Sequence, residues 1–161
     1  MTVREYNQCV DKYADRVYRF VLKHIKDSDL SNDIVQESFL KMWKHAESVS
    51  CDKARSYLFT TAYHTLIDHT RKNKRMSSAE PSAEHMPLVE NSYSDLKEIL
   101  DEALSRLPEV QRAVVLLRDY EGYAYKEIAD ISGLNEIQVK VYIYRARMAL
   151  KDYLVSVEKV V

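Results

Sequence analysis

Apolar residues recur every three or four positions along most of this chain, the spacing of helices that bury one face. Tyr13, Val17, Phe20 and Val21 mark a first helix. Asp27 to Asp29 interrupt it and cap a second, from about Leu30 to His45, with Ile34, Val35, Phe39, Met42 and Trp43 on its apolar face. A third, about Asp52 to Lys74, sets Leu58, Ala62, Leu66 and His69 on one side and ends in the basic run Arg71 to Arg75. There the periodicity stops. The stretch "MSSAEPSAEHMPLVENSYS", Met76 to Ser94, is rich in Ser, Glu and Pro and reads as a flexible linker.

Helical spacing then resumes. Ser92 and Asp95 stand at capping-box spacing before a helix from about Asp95 to Arg106. Pro108 fits the first turn of another, ending near Gly122. A short helix, about Tyr125 to Ile131, leads to Gly133, which supplies a left-handed position. Asn135 caps the last helix, with Gln138 three residues on. A helix, a one-glycine turn and a second helix form the helix-turn-helix plan; Ala129 lets the helices approach and Val139 points back at the first. The expected fold is all-α: two small helical domains, residues 1–75 and 93–161, joined by a linker over 76–92, the C-terminal one containing the helix-turn-helix. Two glycines and three prolines in 161 residues leave few tight turns for an all-β alternative.

At 100° per residue, Val139, Ile143, Ala146 and Leu150 share one face of the last helix. Gln138, Lys140, Val141, Tyr144 and Arg145 fall on the other, with Ile137 and Met148. That mixture suits a helix in a DNA major groove: an amide for adenine, cations for guanine or phosphate, an apolar tip for a thymine methyl. An ordinary solvated helix is the alternative. A second basic element lies in "TAYHTLIDHTRKNKR", where Arg71, Lys72, Lys74 and Arg75 close a helix carrying Tyr57, Tyr63, His64 and His69. Cations for phosphates and rings for unpaired bases suit single-stranded nucleic acid. A basic helix end that only complements the helix dipole is the competing reading. In "NDIVQESFLKMW", Asp33, Gln36 and Glu37 line one polar edge, suited to a basic partner helix or simply solvated.

Charge sharpens this picture through its distribution. Net charge is −1, yet residues 1–75 hold 14 basic against 10 acidic side chains, and Ile137 to Lys151 hold Lys140, Arg145, Arg147 and Lys151 with no acid. Local patches of this kind set a phosphate-binding surface. The five histidines form no constellation with carboxylates, and no phosphate loop or nucleophile elbow is present, so no enzyme, cofactor or metal site is expected. Cys9 and Cys51 fit no metal spacing and suggest a reducing compartment. No apolar run approaches a membrane span, so a cytoplasmic protein without membrane insertion of its own is expected.

Taken together, these segments resemble the extracytoplasmic-function (ECF, group IV) sigma factors, the small two-domain branch of the main bacterial sigma family. "NDIVQESFLKMW" resembles the family's polymerase-clamp helix, and "ARSYLFTTAYHTLIDHTRKNKR" its −10-element segment. "LSRLPEVQRAVVLLRDYEGYAYKEIADISGLNEIQVKVYIYRARMALKDYL" resembles its −35-reading domain. The resemblance implies that Asp33, Gln36 and Glu37 face the clamp helices of RNA polymerase core, with Phe39 and Trp43 supporting the fold. It places Arg55, Tyr57, Tyr63, His64, Arg71 and Lys72 near the −10 element, where a base is flipped out at a cost of a few kcal/mol. Gln138, Lys140, Val141, Tyr144 and Arg145 would face the −35 major groove, and the linker would thread toward the RNA exit path. The partners implied are core polymerase (clamp helices and flap), promoter DNA and an anti-sigma factor.

The chain departs from the family pattern in three places. Thr61-Ala62-Tyr63-His64 stand where "IARN" is common, Tyr142 stands where an arginine is usual, and Ala124 replaces a capping Ser or Thr at a cost of about 1 kcal/mol. Three functions compete: a promoter-specificity subunit, a stand-alone helix-turn-helix regulator, and a helical protein that sequesters another factor. A regulator has no need of both "DIVQE" and "TRKNKR", and the basic face from Lys140 to Lys151 argues against pure sequestration.

Overall fold

The computed structural model describes residues 1–76 and 92–160, with side chains for 1–73 and 95–158. The described residues form helices joined by short turns, and none of these helices is long and apolar enough to cross a membrane. The linker expected over 76–92 falls almost wholly outside the described residues.

Helix α1 spans Val3–Ile25, α2 Ser28–Lys44 and α3 Cys51–Met76. A reciprocal cap starts α1: Thr2 Oγ1 accepts from Glu5 N at 3.1 Å, and Glu5 Oε2 accepts from Thr2 N at 2.8 Å. Lys26, at φ 60°, ends it, and Asp27 Oδ1 accepts from Leu30 N to begin α2. Phe20, Ile34, Met42, Leu58, Phe59 and Leu66 are buried where these three helices meet. Trp43 departs from the expected apolar face: it is 45 % exposed. Met42 fills the core, and its neighbour lies 100° round the helix. The Trp43 ring leans on Tyr6, 5.0 Å away, instead of entering the core.

Helix α4 spans Ser92–Ser105, starting three residues earlier than expected, so Ser92 lies inside the helix instead of capping it. Pro108 precedes α5, Glu109–Val115, as its cap residue. The single helix expected to reach Gly122 instead widens at Leu116–Tyr120 into a π-helical turn, with Glu121 N donating to Leu116 O at 3.1 Å. Helix α6 spans Tyr125–Ser132 and α7 spans Glu136–Val160. Gly133 between them has φ 81°, a conformation costly for a residue with a Cβ. Ala124 offers no side-chain cap, but Glu127 Oε1 still accepts from Ala124 N at 3.1 Å.

Arg112 fastens this second group of helices. Its guanidinium donates to the carbonyl oxygens of Leu104 (2.9 Å), Ser105 (3.0 Å) and Leu107 (2.8 Å), satisfying acceptors left over where α4 ends. Helices α1 and α3 then pack against α4, α5 and α6, and the buried apolar residues of both groups form one continuous core.

Candidate nucleic-acid interface

The helix-turn-helix forms from its local signals. Gln138 N donates to Asn135 Oδ1 at 2.8 Å and Asn135 N donates to Gln138 Oε1 at 3.1 Å, a reciprocal cap that fixes the start of α7. Val139, Ile143 and Ala146 are buried against α5 and α6. This leaves Lys140, Val141, Tyr144 and Arg145 in solvent on the opposite face, with Ile137 and Met148 beside them. Lys140 Nζ lies 5.5 Å from the Tyr125 ring centroid, and Arg145 lies 6.0 Å from that of Tyr142. Gln138 is exposed, but its carbonyl oxygen already accepts a cap hydrogen bond; the amide NH₂ remains for another partner.

One cation of the basic stretch is otherwise engaged. Arg147 Nε donates to Asp119 Oδ2 at 3.0 Å and a second guanidinium nitrogen reaches Oδ1, so it ties α7 to the π-helical turn. Lys140 and Arg145 are left as the cations flanking Val141 and Tyr144.

The second basic element is arranged differently. Arg55 is half-buried and lies 4.0 Å from the Tyr123 ring centroid, and it donates to the Glu121 carbonyl oxygen. Tyr63 is 5 % exposed, and burial pushes its phenol up. His64 is exposed, with Nε2 3.3 Å from Ile131 O of α6. Tyr57 is half-buried, its hydroxyl 3.4 Å from His45 Nδ1. Arg71 and Lys72 are exposed near the end of α3, and the side chains of Lys74 and Arg75 lie outside the described residues. Arg55 and His64 thus touch the second helical group, whereas Arg71 and Lys72 face water.

The seam between the groups is built around Tyr123. The π-helical turn and Gly122, at φ 75°, turn the chain so that Tyr123 packs edge-on to Phe59, with ring centroids 5.6 Å apart. Burial pushes the Tyr123 phenol up. Arg16 pairs with Glu121 at 3.0 Å and Lys23 with Asp101 at 3.1 Å along the same seam. His24 is half-buried there, with Nδ1 2.8 Å from Phe20 O, a buried Nε2 without a partner, and its carbonyl 3.5 Å from Arg112. Burial holds its imidazole down at about 3.

On α2, Asp33, Gln36 and Glu37 are exposed on one edge, with Glu37 bonded to Lys41 at 3.2 Å. Leu40, 52 % exposed, and Trp43 extend that edge with apolar surface. Leu40 lies outside the residues that the sequence pattern singles out, although its i+4 spacing from Gln36 is a usable signal.

Comparison with known proteins gives both halves a match. Residues 9–76 match the model of sigma-70 region 2, and residues 97–150 that of sigma-70 region 4. The ECF RNA polymerase sigma factor SigM of Bacillus subtilis is 31 % identical over 159 residues, covering 94 % of each chain. SigL of Mycobacterium tuberculosis is 31 % identical over 149 residues, 88 % of this chain and 84 % of that one. Among solved structures, the sigma factor RpoE of Bartonella quintana, crystallised with the anti-sigma factor NepR, superposes with a TM-score of 0.77 at 23 % identity, over 94 % of this chain and 98 % of that one.

Proposed function

This chain is an extracytoplasmic-function sigma factor, a member of the sigma-70 family, and on that footing we propose how its surfaces divide the work of starting transcription. It binds RNA polymerase core and directs promoter-specific initiation. It acts by binding and carries out no turnover chemistry of its own. Its place is the cytoplasm, where the polymerase works.

The α7 face reads the −35 element. The observation that carries this is the capped, Gly133-turned α6–α7 pair, which leaves Lys140, Val141, Tyr144 and Arg145 exposed beside one another. Lys140 and Arg145 supply guanine or phosphate contacts, and Val141 an apolar contact to a thymine methyl. Gln138 divides its amide between the cap and the DNA. On α2, Asp33, Gln36 and Glu37 meet the basic clamp helices of the core, with Leu40 and Trp43 adding apolar area.

The α3 face serves the −10 element. Arg71 and Lys72 hold phosphates from the exposed end of the helix, while Arg55, Tyr57, Tyr63 and His64 lie near the melted strand. Arg55 becomes free only when the seam opens, and His64 then loses its contact with α6, so docking on core and domain separation precede −10 recognition. A further partner follows from the related RpoE, which was solved with an anti-sigma factor: an outside protein of that kind holds this chain inactive. A stand-alone regulator would leave the α2 edge without a purpose.

The test is capture of purified core polymerase by this chain, followed by transcription from a pool of promoter fragments. Core binding with selective initiation supports the assignment. Specific duplex binding without core binding overturns it.

A further inference from the structure

Cys9 and Cys51 are 42 positions apart in sequence, yet the fold brings them to one cavity of about 470 Å³. Cys9 lies on α1 and is 5 % exposed; Cys51 is the first residue of α3 and is exposed. Neither is in a disulfide. Arg55 and Tyr123 of the seam line the same cavity, as do Lys12 and Glu127. Nothing in the promoter or polymerase assignments uses either thiol.

We propose that Cys9 and Cys51 are a peroxide-sensitive pair: exposed Cys51 is oxidised first, and buried Cys9 then closes a disulfide with it. In the first step Cys51 sulfur attacks one oxygen of hydrogen peroxide. The O–O bond breaks, Cys51 becomes a sulfenic acid, and one water leaves. Cys9 sulfur then attacks Cys51 sulfur; the S–S bond forms, the S–O bond breaks, and a second water leaves. Two thiols lose two electrons and two protons, and one peroxide becomes two waters. The order follows from access. Burial pushes the Cys9 thiol up, and the nearby Cys51 adds to that push. Cys9 is therefore the resolving thiol, on the wall of the cavity that Cys51 also lines.

The bond has a mechanical consequence. Cys51 and Arg55 are one helical turn apart on α3, and Arg55 carries the Tyr123 ring. A disulfide fixes α1 to α3 beside Arg55 and the Tyr123 ring that packs there, so the oxidised chain resists any rearrangement of that wall when the seam opens. In a reducing cell interior such a bond is transient, as redox-sensing disulfides are.

The experiment uses the reduced full chain, treated with hydrogen peroxide and cleared with catalase before core and promoter DNA are added without reductant. The expected chain has lost two hydrogens, peptide mapping joins Cys9 to Cys51 within one molecule, initiation falls several-fold, and dithiothreitol restores it. In Cys9→Ser, Cys51 stops at a dimedone-trappable sulfenic acid and peroxide leaves initiation unchanged. Cys51→Ser, at an exposed position, keeps Cys9 a free thiol and is equally insensitive. Linkage of two chains through Cys51, with Cys9 still free, overturns the pair. A Cys9–Cys51 disulfide with unchanged initiation overturns the switch. The mass readout does not depend on the sigma function.

Discussion

The two surfaces proposed to meet DNA are kept in different states by the same fold. On α7, Val139, Ile143 and Ala146 are consumed by packing, and Lys140, Val141, Tyr144 and Arg145 stand in solvent. On α3, Arg55 is stacked on Tyr123, Tyr63 is buried, and His64 meets a carbonyl of α6. The difference comes from what each surface must touch. A duplex groove is met from outside by a rigid helix that needs no rearrangement. Aromatic and cationic groups suited to unpaired bases are also good partners for another protein surface, and here Tyr123 serves as one. On the proposed assignment, the closed seam has the chain cover part of its own −10 surface, and the polymerase must separate the halves to free it.

Substitutions on either surface would break this contrast, and their effects differ in size. Asp33→Lys with Glu37→Lys reverses the charge of the α2 edge and should weaken core capture by about 10²-fold, with the −35 surface untouched. Retained capture would remove the docking role. Lys140→Ala with Arg145→Ala should cost roughly 1 kcal/mol for each side chain truncated, reducing −35-dependent transcription about 30-fold at equal core binding. An equal fall in core binding would mean that α7 is misassigned.

Acid probes the seam. The His24 imidazole is held at about 3 from an ordinary 6.5, so the unfolded chain binds a proton that the folded chain refuses. Its contribution is complete above about pH 6.5 and declines by about 1.4 kcal/mol per pH unit below that, down toward the folded value. Urea unfolding at pH 7 and pH 5 should differ by about 2 kcal/mol, and His24→Gln should flatten the difference. Gly133→Ala should cost about 1 kcal/mol, because the added Cβ meets nothing within 4 Å and only the left-handed backbone resists it. An unchanged melting temperature would contradict that reading of the turn.

Features governed by neighbours three or four positions away were legible in the sequence. The Asn135–Gln138 cap, the Gly133 turn and the buried stripe of α7 all follow from local spacing. Trp43 escaped because an apolar stripe has an edge, and only packing decides which residue there is covered. The π-helical turn at Leu116–Tyr120 escaped because its residues keep ordinary helical spacing. Arg147 looked like one of four free cations until the fold brought Asp119 to it, 28 positions away. The seam was hidden for the same reason. Arg16 and Glu121 are separated by 105 positions, and neither side chain announces the other. Arg112 stood within a quoted motif but had no role until three carbonyl oxygens converged on it.

The most direct measurement is hydroxyl-radical footprinting of tyrosine side chains in the free protein and in its complex with core polymerase, without DNA. Tyr144 should react readily in both states, whereas Tyr63 and Tyr123 should be protected in the free chain and become reactive once core is bound. Tyr63 and Tyr123 as reactive as Tyr144 in the free chain, or still protected on core, would contradict a seam that closes over the −10 surface and opens on the polymerase.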